Sequence, residues 1–195
     1  NERNLRGKGV SYCATCDGAF FRGKEVVVVG GGDTAAADAV FLSKLCSKVT
    51  VIHRRDKLRA DAKSVNSDAY YAYQKPLFEK ENIEFLWDSV VEEMLEQDGK
   101  LTGVMVKNRK TGERVQVQCS GAFVAVGNLP NTELFPEVKL TPSGYIEAGE
   151  DTKTNLPGVF AVGDVRQKPL RQVVTATADG AVASYMAEEY IQMGE

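Results

Sequence analysis

A run of β-branched residues that stops at three glycines constrains this chain more than any other feature. Residues 25–29 (Glu-Val-Val-Val-Val) are short, apolar and rich in valine, the make-up of a strand buried on both faces. Gly30-Gly31-Gly32-Asp33-Thr34-Ala35 follows at once and fits G-x-G-x-x-A. An Ala-rich stretch with helical periodicity continues to about Leu45, and residues 48–52 (Lys-Val-Thr-Val-Ile) read as a second strand. Strand, glycine loop, helix and strand together fill about thirty residues, the size of one βαβ unit. The expected fold class is α/β, with a Rossmann-like domain built on a parallel sheet.

In such a loop Gly30 allows the tight turn, and Gly32, without a side chain, lets a pyrophosphate approach the backbone. Ala35 lets the helix sit close to the strand, and the helix N-terminus offers free N–H groups and partial positive charge. Gly31, Asp33 and Thr34 belong to the same loop. A plain Gly-rich turn is the competing reading, but strand, helix and second strand all fall where a nucleotide loop needs them. An NAD site usually carries Asp or Glu at the end of the second strand, to bond the ribose 2′-hydroxyl. Here that place holds His53-Arg54-Arg55, with Arg59 one turn later. A carboxylate would repel a 2′-phosphate, whereas guanidinium groups bind one bidentately, so the expected ligand is NADP(H) rather than a solvated basic turn. His53, the sole histidine, is read as a packing or phosphate-side residue with no acid–base role.

Cys13-Ala14-Thr15-Cys16 is a C-x-x-C. Thiols at this spacing can close a small disulfide ring, and local electrostatics can lower the pKa of one of them. Half of a zinc site is the alternative, but the remaining cysteines, Cys46 and Cys119, are solitary, so no metal is expected. Asp17 follows directly and is suited to move the proton in thiol–disulfide exchange, though Asp17-Gly18 also reads as a turn.

Elsewhere, residues 1–12 look like a linker and 57–81 are helix-compatible, with a break at Pro76. Residues 83–118 read as an antiparallel meander turning at Asp98-Gly99 and Thr111-Gly112. Residues 122–126 read as a strand, 158–164 as a last strand with a turn, and 172–192 as an amphipathic helix. A net charge of −3 over 195 residues gives no support to nucleic-acid binding or a polybasic anchor. No apolar run approaches the ~20 residues of a membrane helix, and so few cysteines fit the reducing cytosol. The polar start, Asn1-Glu2-Arg3-Asn4, without an initiator Met, reads as a segment of something longer.

Ser11 to Gly18, Gly30 to Ala35 and His53-Arg54-Arg55-Asp56 together closely resemble bacterial-type, low-molecular-weight thioredoxin reductase. The likeness continues through Phe123 to Gly127, Pro130-Asn131-Thr132, Pro157 to Val165 and Arg171-Gln172-Val173. It spans nearly the whole chain in the family's order. It implies a two-dinucleotide-binding-domain flavoprotein, homodimeric when full length, that passes electrons from NADPH through FAD to the C-x-x-C and on to thioredoxin. Residues 1–123 would be the NADPH domain carrying the dithiol, and 124–195 the C-terminal part of the FAD domain. Cys13 and Cys16 would be the redox pair and Asp17 the acid. Gly30, Gly32, Asp33, Thr34, Arg54, Arg55 and Arg59 would surround NADPH. Gly163 and Asp164 would hold the FAD ribitol, with Arg171, Gln172 and Val173 near the isoalloxazine.

Two departures stand out. Ala37 occupies a place where the family usually has Glu, and the family's own N-terminal FAD-binding G-x-G-x-x-G unit is not in this sequence, so weak retention of FAD is expected. A related reductase of another dithiol carrier and a non-catalytic NADP(H)-binding module remain as alternatives.

Overall fold

The computed structural model describes residues 1–58 and 75–194, which form two compact units, Asn1–Gly127 and Asn128–Glu195. In the first, five parallel strands lie in the order β1-β8-β2-β3-β4: β1 (Val10–Ser11), β2 (Glu25–Gly30), β3 (Lys48–Ile52), β4 (Ile83–Leu86) and β8 (Gly121–Ala125). Between β4 and β8 an antiparallel meander is inserted, made of β5 (Ser89–Gln97), β6 (Lys100–Asn108) and β7 (Arg114–Gln118).

The valine run of β2 is explained by what covers each face. Side chains alternate along a strand, so Val26 and Val28 point one way and join Val49, Val51 and Phe123. Helix α2 (Asp33–Ser43) closes that face with Ala35, Ala36, Ala39 and Leu42. Val27 points the other way, with Ile52 and Ala122, and meets Met94, Leu101, Val104 and Val106 of the meander. The meander thus does for one face of the sheet what a helix does for the other. Each fully buried valine contributes about 1.5–3 kcal/mol.

Several expectations are corrected. Residues 1–12 are not a linker: Leu5 and Val10 are buried, and β1 pairs in parallel with β8. A two-residue strand is too short to show a period in sequence. Ile83–Leu86 belongs to the parallel sheet, paired with β3, so the meander is β5 to β7 alone. Pro76 lies in helix α3 (Lys75–Glu79); most of the stretch expected to be helical before it, 59–74, lies outside the described residues.

The second unit holds a small core of Val138, Ile146 and Ala161. Residues 158–164 form no strand: Phe160 makes an isolated bridge with Lys153, and Gly163–Val165 is a 3-10 turn. A strand exists only through a paired neighbour, and one bridge does not make a ladder. Helix α4 (Val173–Met193) follows, and its one buried residue is Asp179.

Candidate functional site

In the first unit the candidate residues gather at the carboxyl edge of the parallel sheet. Strand β2 has β3 on one side and β8 on the other, so the loop after β2 occupies a topological switch point, the usual ligand crevice of open α/β sheets. The Arg pair follows β3 and the dithiol follows β1 at the same edge. Val10 and Val27 both pair with Ala122, so β1 runs level with β2 two strands, about 10 Å, away, and the dithiol begins two residues beyond the end of β1.

The three glycines of the loop do different things. Gly30 (φ +153°) could not carry a side chain, because a Cβ there would run into the Ala125 carbonyl and come within 2.9 Å of the Ala35 Cβ. A Cβ on Gly31 would strike the His53 ring, whereas one on Gly32 would meet nothing within 4 Å. Gly30 and Gly31 therefore serve packing, and Gly32 faces open space of the kind a phosphate needs. Asp33 and Thr34, exposed, begin α2 with Gly32 as its N-cap. His53 is buried, 6.4 Å edge-on from Trp87. Arg54 and Arg55 are exposed. Arg59 lies outside the described residues. One further guanidinium stands close by: Arg109 Nη1, at the β6–β7 tip, donates to the Arg54 carbonyl at 3.1 Å.

Cys13 and Cys16 form a disulfide with Cα atoms 5.3 Å apart. Cys13 is the N-cap of the one-turn helix α1 (Ala14–Asp17), and its sulfur accepts from the Cys16 N–H at 3.2 Å. Ser11, buried at the end of β1, donates from its hydroxyl to Asp17 Oδ2 at 2.7 Å and accepts from the Cys13 N–H at 3.1 Å. The side chain that anchors the carboxylate is thus itself fixed by the sheet. Ser11 stands in the quoted motif, yet nothing in a lone serine announces this role. Cys46 and Cys119 are buried free thiols. Burial pushes both upward in pKa, Cys119 to about 12, so neither competes as a nucleophile.

In the second unit Gly163 (φ +73°) and exposed Asp164 form the 3-10 turn. Arg171 stacks 3.8 Å above the Tyr145 ring, and its Nε donates to the Asp164 carbonyl at 3.3 Å. Gln172 caps α4 in a capping box with Thr175, and Val173, its first residue, is exposed. Asp179 accepts from Gly163 N–H at 2.9 Å, from Arg166 Nη2 at 2.7 Å and from Lys168 Nζ. The two cations hold its carboxyl far below the usual carboxylate range, Arg166 the more strongly. An aspartate in an Ala-rich helix carries no sequence signal of such a role. Among the described residues no helix is long and apolar enough to cross a membrane, and no three His, Cys, Asp or Glu side chains cluster as metal ligands.

The family model for pyridine nucleotide-disulphide oxidoreductases matches residues 2–180. Thioredoxin reductase of Bacillus subtilis (strain 168) is 44% identical over 192 residues, covering 98% of this chain and 58% of the relative. That of Peptoclostridium litorale is 48% identical over 198 residues, covering 98% and 60%. Among solved structures, thioredoxin reductase from Streptococcus pyogenes MGAS5005 superposes with a TM-score of 0.88 at 41% identity, covering 99% of this chain and 60% of that one. The Giardia duodenalis enzyme gives 0.86 at 37%, covering 98% and 60%. The chain therefore spans about three-fifths of the length of these relatives. From the match over residues 2–180, the chain belongs to the pyridine nucleotide-disulphide oxidoreductase family.

Proposed function

We propose that this chain carries the NADPH-binding and dithiol-bearing part of a thioredoxin-disulfide reductase, homodimeric and cytoplasmic when whole. The observation that carries this reading is the Cys13–Cys16 disulfide standing at the same sheet edge as the Gly30–Gly32 loop. Asn1–Gly127 is then the NADPH unit, and Asn128–Glu195 contributes to a flavin unit.

The residues present fit NADPH. Gly32 leaves room for the pyrophosphate, the α2 N-terminus offers N–H groups to it, and Arg54 and Arg55, exposed after β3, are suited by their chemistry to a 2′-phosphate. For FAD the fit is partial. Asp164 is suited to accept hydrogen bonds from sugar hydroxyls, with Arg171, Gln172 and Val173 at the ring side. The described residues contain one glycine-rich strand-to-helix loop, and that loop is assigned to NADPH. Flavin, when bound, supplies the relay that takes a hydride from the nicotinamide and delivers two electrons to sulfur.

Reduction opens the Cys13–Cys16 bond with two electrons and two protons. Asp17, held by Ser11 beside the pair, is placed to give or take a proton as one sulfur becomes thiol or thiolate. The dithiol then passes its two electrons to the disulfide of thioredoxin through a mixed disulfide, closing again as the carrier leaves reduced.

Full-length protein mixed with NADPH, FAD and oxidised thioredoxin should consume NADPH, and Cys13→Ser or Cys16→Ser should abolish that consumption. No consumption, or consumption indifferent to both substitutions, refutes the assignment.

A further inference from the structure

The tip of the β6–β7 hairpin is tied in series to the turn that follows β3. The Asp88 N–H donates to the Arg55 carbonyl at 3.0 Å, and the Arg109 N–H donates to the Asp88 carbonyl at 2.6 Å. Arg109 Nη1 completes the set by donating to the Arg54 carbonyl at 3.1 Å. The tip itself is stiff. Asn108 Oδ1 accepts from the N–H groups of Lys110 and Thr111 at 2.9 and 3.0 Å, and the Gly112 N–H bonds the Asn108 carbonyl at 2.9 Å. Arg109 is therefore held against the Arg pair by both its backbone and its side chain.

The charges around it are unbalanced. The nearby carboxylates act on Lys110: Asp88 pairs with it at 2.9 Å, and Asp56 adds to the field it feels. Arg54, Arg55 and Arg109 have no carboxylate partner among the described residues. Arg109 thus brings its guanidinium to the short stretch of backbone that carries Arg54 and Arg55, and like charges so close in the fold repel one another. A multiply charged anion is the natural complement, because each fork can give a phosphate charge-assisted hydrogen bonds.

We propose that Arg109 is a further specificity residue of the cofactor site, adding a guanidinium from the inserted meander to those of the 2′-phosphate pocket. The inference rests on the reading of Arg54 and Arg55 as that pocket. It gives the meander a second task besides covering the sheet, since the hairpin then helps to distinguish NADPH from NADH.

The test is calorimetric titration of the chain with NADPH and, separately, NADH, for the wild type, Arg109→Gln, Arg109→Lys and Arg55→Gln. Arg109→Gln should weaken NADPH about three- to tenfold, as expected for one exposed charge-assisted contact, and leave NADH unchanged. Arg109→Lys, which keeps the charge but not the fork, should fall in between. Unchanged melting temperatures show that the variants fold. The proposal is overturned if Arg109→Gln weakens both cofactors equally, or neither, while Arg55→Gln selectively weakens NADPH. In that case the phosphate-site reading survives without Arg109. A wild type that binds both cofactors equally overturns the two together.

Discussion

Asp179→Ala should release helix α4 from the second unit while leaving the first intact. Asp179 is the helix's one buried residue among those described, so this carboxylate, rather than an apolar seam, is what ties α4 to the Gly163–Val165 turn. It serves two cations whose side chains are 4% and 5% exposed, Arg166 and Lys168, together with the Gly163 N–H. Removing one partner of a fully buried ion pair costs about 3–5 kcal/mol, because the other charge is left uncompensated. Arg166 retains the Ala148 and Gly149 carbonyls and faces exposed Glu150 at 3.9 Å, so the lower end, about 3 kcal/mol, applies here. A small domain has only about 5–15 kcal/mol in total, and the core here is small. Hydrogen exchange read by mass spectrometry should show lost protection across 163–193 and none across β2, β3 and β8. Fluorescence of Trp87, the sole tryptophan, should report an unchanged melting curve for the first unit. The linkage has a definite sign. The folded carboxyl lies below its unfolded value of 3.8, so its contribution is complete above about pH 5 and is lost as pH falls below about 4. Full protection of α4 in Asp179→Ala at pH 7 would refute the reasoning.

Three further outcomes follow from the geometry. Gly31→Ala should destabilise the first unit by about 1–3 kcal/mol through its clash with His53, whereas Gly32→Ala should change stability by less than about 0.5 kcal/mol and weaken NADPH instead; urea unfolding followed by Trp87 fluorescence separates the two. Burial raises the Asp38 carboxyl to about 6, so wild-type stability should fall as pH rises from about 4 to 6. Asp38→Asn should remove that fall and gain about 1–2 kcal/mol at pH 7, after allowance for partial exposure, and identical pH–stability curves would count against the assignment. After reduction, iodoacetamide at pH 8 should label Cys13 and Cys16 in the native chain and reach Cys46 and Cys119 only in denaturant, with peptide mass spectrometry locating the adducts.

The glycine loop, β2, α2 and β3 were legible because a βαβ unit is local: its residues are contiguous and its two periods are visible in one line of text. The dithiol was legible for the same reason. Strand β1 was not, since two residues show no alternation and only the pairing with β8 makes them a strand. Residues 158–164 erred the other way, because their composition suits a strand but their ladder amounts to one bridge. Ser11, Arg109, Arg166 and Asp179 were silent because their roles depend on partners up to 55 residues distant.

Sequence alone determined the chemistry on offer: a vicinal cysteine pair, a loop without side chains, and guanidinium groups where NAD sites carry an acid. These are properties of residue type and short spacing, carried by the chain before it folds. Only the tertiary structure decided which groups act together. Parallel pairing through β8 brings the end of β1, where the dithiol follows, to the same sheet edge as the glycine loop after β2, and a hairpin from the inserted meander lays Arg109 on Arg54. Such neighbourhoods arise from strand order and register, which long-range burial selects and no local pattern encodes.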